Sequence, residues 1–222
     1  MKKRILSLAI SAALVLTMLP AGALAAGDKG KPPVYNKATG CYEISTPDQL
    51  LYLSGSWKDG APRDGHYVLT ADIDMSGVKG FKPIASKKDK GFIGTFDGQF
   101  HAIKGLRVEY EKKYAGLFGY VGNQDDQAYI KDVALLDCYV TGQQNVGALA
   151  GVNYGTITGC VVTGEVKCLD LSNSHTAGGI CGKLKEGEGP IVGHVEDCYV
   201  NADVSAPYDA GGVAGIQDGG GY

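Results

Sequence analysis

Four short glycine-containing segments recur in the second half of the chain and constrain its fold more than any other feature. Their closing glycines are separated by 32, 31 and 33 residues, and a constant period of this length is typical of a repeat architecture. The 34 glycines show no triplet period, which excludes collagen. The four segments are Gly116-Leu117-Phe118-Gly119, Ala148-Leu149-Ala150-Gly151, Gly179-Ile180-Cys181-Gly182 and Gly212-Val213-Ala214-Gly215.

The repeats are predicted to consist of short β-strands. Helical repeats need amphipathic stretches of ten or more residues without glycine, whereas here each repeat has glycine inside its most apolar segment. Apolar residues instead alternate with period two, as in Leu106, Val108 and Tyr110, or in Val133 and Leu135. Related local sequences recur between the glycine segments, at 137–142, 159–164 and 197–202.

Strand repeats of this length predict an all-β fold of the β-solenoid type. A single repeat cannot bury its inward face, but stacked repeats bury a continuous column. Small residues such as Ala148, Ala150, Gly179 and Ala214 suit a narrow interior, and glycine permits both tight turns and close stacking. A β-sandwich with chance similarity among its glycine segments is the alternative.

A short helix is predicted ahead of the repeats. Thr46 can cap its N-terminus, Pro47 suits the first helical position, and Gln49 completes a capping box. Leu50, Leu51 and Leu53 follow as an apolar face, and the helix is expected to end at Gly55. We expect this helix to cover the open end of the first repeat.

The stretch from Tyr67 to Met75 is predicted to be a strand. Val68, Ile73 and Met75 are expected to face inward, with Asp72 and Asp74 on the other side. Together with the segment from Gly94 to Leu106 and the four glycine segments, it resembles the GLUG-repeat proteins. The resemblance covers residues 41–217 and is most direct at Gly116-Leu117-Phe118-Gly119.

The resemblance carries expectations about fold and role. GLUG-repeat proteins are secreted or surface proteins of bacteria, and similar repeats lie upstream of the protease domain in some immunoglobulin A-specific metallopeptidases. The family implies a right-handed parallel β-helix and a surface role that is often adhesive. It does not imply catalysis by the repeats.

The N-terminus has the pattern of a secretory signal peptide. Three basic residues precede an apolar stretch from Ile5 to Leu19, and a small-residue site predicts cleavage after Ala25. The mature chain then holds 18 basic and 24 acidic side chains and lacks the basic face that nucleic-acid binding needs. The predicted organisation is a signal peptide at 1–25, a linker at 26–40 and a β-helix at 41–222, with a lead-in at 41–114 and repeats at 115–222.

No catalytic, cofactor-binding or metal-ligating residue is predicted. His66, His101, His175 and His194 lack the spacing of a zinc-protease helix. The run that starts at Asp72 resembles a calcium loop, but Pro83 occupies the position of the bidentate glutamate. A weaker alternative is a carbohydrate-active site built on carboxylates, with His101 beside Asp97 as an acid–base pair. Its carboxylates would be Asp97, Asp132, Asp137 and Asp197, three of which lie beside turns that aspartate commonly caps.

The six cysteines are interpreted as free, packed thiols rather than disulfides. Cys138, Cys160 and Cys198 occupy similar local positions, which favours an inward ladder of small apolar side chains. An even number of cysteines in a secreted chain also permits disulfides, so this alternative stays open. The chain has no C-x-x-C pair of the kind that zinc sites use.

The function expected from these features is a non-catalytic extracellular or cell-surface module for binding or adhesion. Its 13 tyrosines offer flat, amphipathic contacts to a glycan or a protein ligand. A carbohydrate-active lyase or glycosidase and a structural spacer are the alternatives. No cofactor and no membrane insertion of the mature chain are expected. Because the sequence stops soon after the fourth glycine segment, we expect part of a longer surface protein, with self-association through an uncovered last repeat.

Overall fold

The computed structural model describes residues 30–55, 61–171, 175–185 and 192–218. The predicted signal peptide at 1–25 lies outside the described residues, as does the end of the chain at 219–222. The regular secondary structure of the described residues is mostly β-strand, which confirms the all-β prediction. Its strands form three sheets around one core.

The first sheet has seven strands. Its first two strands in the spatial order below pair antiparallel, and every later neighbour in this sheet pairs parallel. In spatial order the strands are β1 (Val34–Asn36), β2 (Cys41–Ile44), β3 (His66–Leu69), β5 (Thr95–Asp97), β9 (Tyr129–Lys131), β12 (Thr156–Thr158) and β16 (His194–Glu196).

The second sheet has eight strands and is branched. Its main path runs through β17 (Tyr199–Ser205), β13 (Val161–Cys168), β10 (Ala134–Gly147), β14 (Thr176–Gly178) and β18 (Asp209–Gly211). Off this path lie β4 (Ile73–Asp74), β6 (Ala102–Lys104) and β7 (Arg107–Ala115). The third sheet consists of β19 (Ala214–Asp218), β15 (Cys181–Lys185), β11 (Ala150–Asn153) and β8 (Phe118–Val121), all parallel.

The prediction of a right-handed parallel β-helix, or β-solenoid, is wrong. The sheets differ in size, the first is mixed, and β10 runs for 14 residues and pairs with four different strands. The closing glycines that define the period lie within β8, β11, β15 and β19. Their period does not determine strand length or pairing partners, which depend on contacts between distant segments. Within the linker predicted at 26–40, residues 34–36 form β1, which pairs with β2.

The core lies between the three sheets and is filled by the alternating apolar residues. Leu106, Val108 and Leu135 are fully buried, and Val133 is nearly so, as the period-two pattern predicts. Tyr67 and Leu69 of β3 point into the core, and therefore Val68 faces outward, contrary to prediction. Asp72 and Asp74 are exposed, as predicted.

The closing glycines are required for close approach of the backbone. A Cβ added at Gly151 would lie 2.6 Å from Cα of Tyr114, and one added at Gly119 would lie 2.6 Å from Cα of Ser86. Neither glycine has the left-handed conformation. The repeat period therefore records places where the backbone of one repeat meets that of an earlier segment without room for a side chain.

The predicted short helix is present as α1 (Pro47–Leu53). The Thr46 hydroxyl accepts a hydrogen bond from the backbone N–H of Gln49, at 3.3 Å. The Gln49 side chain in turn accepts from the backbone N–H of Ser45 at 2.8 Å, one residue earlier than a standard capping box. Leu50, Leu51 and Leu53 are buried.

Removal of the helix cap should weaken the fold moderately. We expect Thr46→Ala to lower the free energy of unfolding by about 1 kcal/mol, because a backbone N–H at the helix start loses its acceptor. Urea unfolding followed by circular dichroism measures this loss. Thr70→Ala, at an exposed position outside the helix, is the control. Equal stability of the two variants would show that the cap contributes nothing.

Candidate functional site

The outer face of the first sheet carries two rows of side chains in parallel register, all of them polar except Val68. The inner face of the sheet packs into the core through a row of four fully buried residues, Tyr67, Phe96, Ile130 and Ile157. Because side chains alternate along a strand, the residues on either side of each buried one point outward. The first outer row is His66, Thr95, Tyr129, Thr156 and His194. The second outer row is Val68, Asp97, Lys131, Thr158 and Glu196.

A groove of about 360 Å³ lies across these rows. We call it the outer groove and define it by His66, Thr95, Asp97, Tyr129 and Lys131, which line it together with Cys41, Tyr67 and Val68. Its residues come from four neighbouring strands, β2, β3, β5 and β9. The groove therefore crosses the strands instead of following one of them.

The two charged residues of the outer groove, Asp97 and Lys131, form an ion pair. Lys131 Nζ lies 2.9 Å from Asp97 Oδ2, and the Asp97 side chain is only 17% exposed. Asp97 Oδ1 also accepts a hydrogen bond from the backbone N–H of Gln99, at 2.9 Å. The hydrogen bond to Asp97 raises the pKa of Lys131, which keeps its charge at neutral pH. The pair thus presents a donor and an acceptor in defined positions.

Tyr129 supplies an aromatic surface next to this ion pair. Its side chain is 46% exposed, and its hydroxyl lies 3.3 Å from Gln127 Oε1. His66 is exposed on the opposite side of Thr95 in the same row. An aromatic face beside a fixed charged pair can hold a ligand that has both apolar C–H surfaces and hydroxyl groups.

The suggested acid–base pair of Asp97 and His101 is not formed. His101 Nδ1 lies 3.3 Å from Asp72 Oδ1, and Lys104 Nζ lies 3.3 Å from Asp72 Oδ2. Burial tends to raise the pKa of Asp72, but hydrogen bonds from the Ala102 backbone, Lys104 and His101 outweigh it and lower the pKa. The histidine therefore belongs to an exposed cluster with Asp72, on the second sheet.

The other suggested carboxylates lie at left-handed backbone positions, two directly after strands and one within a strand. Asp132, Asp137 and Asp197 have φ values of 54°, 52° and 50°, in the left-handed region that aspartate tolerates. Asp132 and Asp197 directly follow β9 and β16, and Asp137 lies within β10 near its register shift. These positions support the structural interpretation of these aspartates over the catalytic one.

The segment starting at Asp72, which resembles a calcium loop in sequence, contains a turn. Asp74 Oδ1 accepts a hydrogen bond from the backbone N–H of Ser76 at 3.0 Å, and hydrogen bonds from Ser76 lower the pKa of Asp74. Within the described ranges, no group of three or more histidine, cysteine, aspartate or glutamate side chains could hold a metal ion.

All six cysteines are free thiols in the structure, but the three-member ladder is wrong. Cys138 lies opposite Gly164, because a register shift separates Leu135 from Cys138 in the pairing of β10 with β13. Cys160 and Cys198 do lie next to each other, immediately before the paired residues Val161 and Tyr199. The predicted ladder is thus reduced to one pair.

Sequence reasoning identified Asp97 but missed the rest of the outer groove. Thr95, Tyr129 and Lys131 are far from the glycine segments, and their neighbourhood depends on which strands pair. One signal was available: the outward residues flank apolar ones in short polar–apolar–polar triplets, as in Thr95-Phe96-Asp97 and Tyr129-Ile130-Lys131. Aligning these triplets would have placed the residues in register.

Two curated relatives match part of the sequence, and no protein-family model matches the chain. The chain is 34% identical over 143 residues to halomucin from Haloquadratum walsbyi, which is 58% of this chain and 2% of that protein. It is 32% identical over 101 residues to a "putative Gly-rich membrane protein" from Evansella cellulosilytica, which is 41% of this chain and 11% of that protein. The chain therefore spans a small fraction of either relative's length.

One solved structure has a similar fold. It is the crystal structure of a "putative immunoglobulin A1 protease" from Bacteroides ovatus, with a TM-score of 0.66 and 26% sequence identity. The match covers 81% of this chain and 53% of that chain. This is consistent with the expected relation to repeats in immunoglobulin A-specific peptidases, while the GLUG repeat itself stays a prediction.

These similarities are consistent with an extracellular or cell-surface module. In the part of the chain that the structure describes, no helix is both long and apolar enough to cross a membrane.

Proposed function

We propose that this protein is a non-catalytic extracellular binding module that holds an extended, uncharged glycan chain along the outer groove. The observation that carries the proposal is the in-register row of His66, Thr95, Tyr129, Thr156 and His194. Adjacent strands lie about 4.8 Å apart, so this row offers five equally spaced contact positions over about 19 Å. Three of them, His66, Thr95 and Tyr129, line the outer groove, and Thr156 and His194 continue the row beyond it. A linear polymer with a regular repeat can use all of these positions at once.

The chemistry of the groove favours a sugar polymer over a charged one. Tyr129 can stack on the C–H face of a sugar ring, and threonine hydroxyls can exchange hydrogen bonds with its hydroxyl groups. The second row contains both signs of charge, with Lys131 between Asp97 and Glu196, and the chain has a formal net charge of −3. An acidic polymer would therefore meet repulsion along this face.

The proposal of binding without turnover rests on the state of Asp97. A glycosidase needs two carboxyl groups facing each other across the scissile bond, one of them able to supply a proton. Both oxygens of the Asp97 carboxylate are engaged within the protein, Oδ2 by Lys131 and Oδ1 by the backbone N–H of Gln99. The other residues that define the groove besides Asp97 and Lys131 are His66, Thr95 and Tyr129, and none of them carries a second carboxylate.

Tyr129→Ala should weaken binding at least about tenfold, corresponding to about 1.4 kcal/mol, because the mutation removes the aromatic contact. An array of neutral oligosaccharides, including cellohexaose and chitohexaose, measures retention of the wild type and the variant. The control is Tyr199→Ala, which removes a tyrosine from the second sheet that is 60% exposed, more than the 46% of Tyr129.

The same samples distinguish binding from catalysis. We expect no release of reducing or unsaturated sugars from any oligosaccharide that the wild type retains. Release that stops in Asp97→Asn would favour the carbohydrate-active enzyme instead. Equal retention of wild type and Tyr129→Ala, with reduced retention of Tyr199→Ala, would place binding on the second sheet and contradict the proposal.

A further inference from the structure

Cys160 and Cys198 occupy equivalent positions in neighbouring repeats. They immediately precede β13 and β17, whose residues Val161 and Tyr199 are paired in parallel register. The Tyr199 backbone N–H also donates to the Cys160 carbonyl at 2.8 Å, so the pairing extends to the cysteines themselves. Neighbouring positions in parallel strands lie about 4.8 Å apart. This is within the Cα separation of about 4.4–6.8 Å that disulfides span.

The two thiols differ in exposure and in acidity. Cys160 is fully buried, with its Sγ 3.2 Å from the Thr158 carbonyl oxygen, whereas Cys198 is half-buried. A hydrogen bond from Cys160 lowers the pKa of Cys198, against the opposing effects of burial and of Asp197 and Glu196. Burial raises the pKa of the Cys138 and Cys181 thiols. The more exposed member of the pair is thus the better nucleophile.

The other cysteines lack such a partner in the described strands. Cys138 lies opposite Gly164, Cys168 lies opposite Gly142, and Cys41 lies opposite Asn36. Cys181 lies between Ala150 and Ala214. Among the described strands, the register therefore places only Cys160 and Cys198 side by side. Cys181 is close enough to interact electrostatically with Cys198, but its register neighbours are alanines.

We propose that Cys160 and Cys198 are a reactive thiol pair that closes to a disulfide by exchange with a small disulfide such as cystine. In the first step, the Cys198 thiolate attacks one cystine sulfur, and a cysteine thiolate leaves as a mixed disulfide forms on Cys198. In the second step, the Cys160 sulfur attacks the Cys198 sulfur, the proton of Cys160 passes to the departing cysteine sulfur, and the second cysteine leaves. Two protein thiols are oxidised, and one cystine is reduced to two cysteines.

The disulfide would join two neighbouring repeats across the core side of the second sheet. The two cysteines are 38 residues apart, so closure also restricts the unfolded chain. The expected consequence is a higher unfolding temperature of the oxidised protein. An oxidising extracellular setting would favour the closed form.

Mass spectrometry after treatment of the purified, reduced protein with cystine tests the proposal. We expect loss of two hydrogens, four alkylatable thiols after denaturation, and a peptide that links Cys160 to Cys198. Cys160→Ser should stop at a mixed disulfide on Cys198, and Cys198→Ser should lose the reaction. Cys168→Ser, which removes a thiol outside the pair, should react as the wild type does.

Three results would overturn the proposal. They are six free thiols after cystine treatment of folded protein, a disulfide that joins any other two cysteines, and a mixed disulfide on Cys198 that persists in the wild type. Circular dichroism of each variant before treatment shows that it is folded, so that loss of reaction reports on the thiols.

Discussion

Replacement of Gly151 by alanine should lower the free energy of unfolding by about 1–3 kcal/mol, the range for overpacking of a tight site. The added Cβ would lie 2.6 Å from both Cα and the carbonyl carbon of Tyr114, and 2.9 Å from the carbonyl oxygen of Gly119. These are backbone atoms that cannot move away as the end of a flexible side chain could. The repeat must therefore separate from its neighbour to accept the methyl group.

Gly212 provides a matched control within the same kind of segment. It opens the fourth glycine segment, has nothing within 4 Å of an added Cβ, and does not adopt the left-handed conformation. Gly212→Ala should change the free energy of unfolding by no more than about 0.5 kcal/mol. Urea unfolding of both variants measures the difference. Equal stability of the two variants would contradict the view that closing glycines permit close contact between repeats.

Phe118→Ala should have a still larger effect, a loss of about 3–5 kcal/mol in the free energy of unfolding. Phe118 is fully buried, and its ring lies 5.1 Å from that of Phe92 and 5.4 Å from that of Phe96. Phe96 belongs to the first sheet and Phe118 to the third, so their contact joins two sheets across the core. Truncation removes this contact and leaves a cavity.

The control for this prediction is Phe100→Ala. The Phe100 side chain is 81% exposed, and its loss should alter stability by no more than about 0.5 kcal/mol. Thermal and urea unfolding of the two variants give the comparison. A loss below about 1 kcal/mol for Phe118→Ala would mean that the sheets are held together mainly by contacts other than this aromatic cluster.

Much of the local structure could be predicted from the sequence because it depends on short-range patterns. The period-two pattern identified Val133 and Leu135 as buried residues, and Thr46 with Pro47 located the helix start. The glycine segments marked positions where backbones meet. In each case the physical cause acts within a few residues or repeats at a fixed interval, so it is visible in the sequence.

The pairing of distant strands could not be predicted in the same way. Cys138 resembles Cys160 locally, but the register shift after Leu135 places it opposite Gly164. The predicted β-helix was wrong for the same kind of reason, since sheet membership depends on which segments meet. In the outer groove, Asp97 was noticed from its motif, whereas its partner Lys131 comes from a strand 34 residues later.

Nuclear magnetic resonance titration of the isotope-labelled protein with an oligosaccharide that the array identifies tests the proposed binding site most directly. We expect the backbone amide signals of His66, Thr95, Tyr129 and Lys131 to shift together in a saturable manner. Signals of outward residues on the second sheet, such as Tyr199, should stay in place. Saturable shifts confined to the second or third sheet, with the outer groove unchanged, would contradict the assignment of glycan binding to the first sheet.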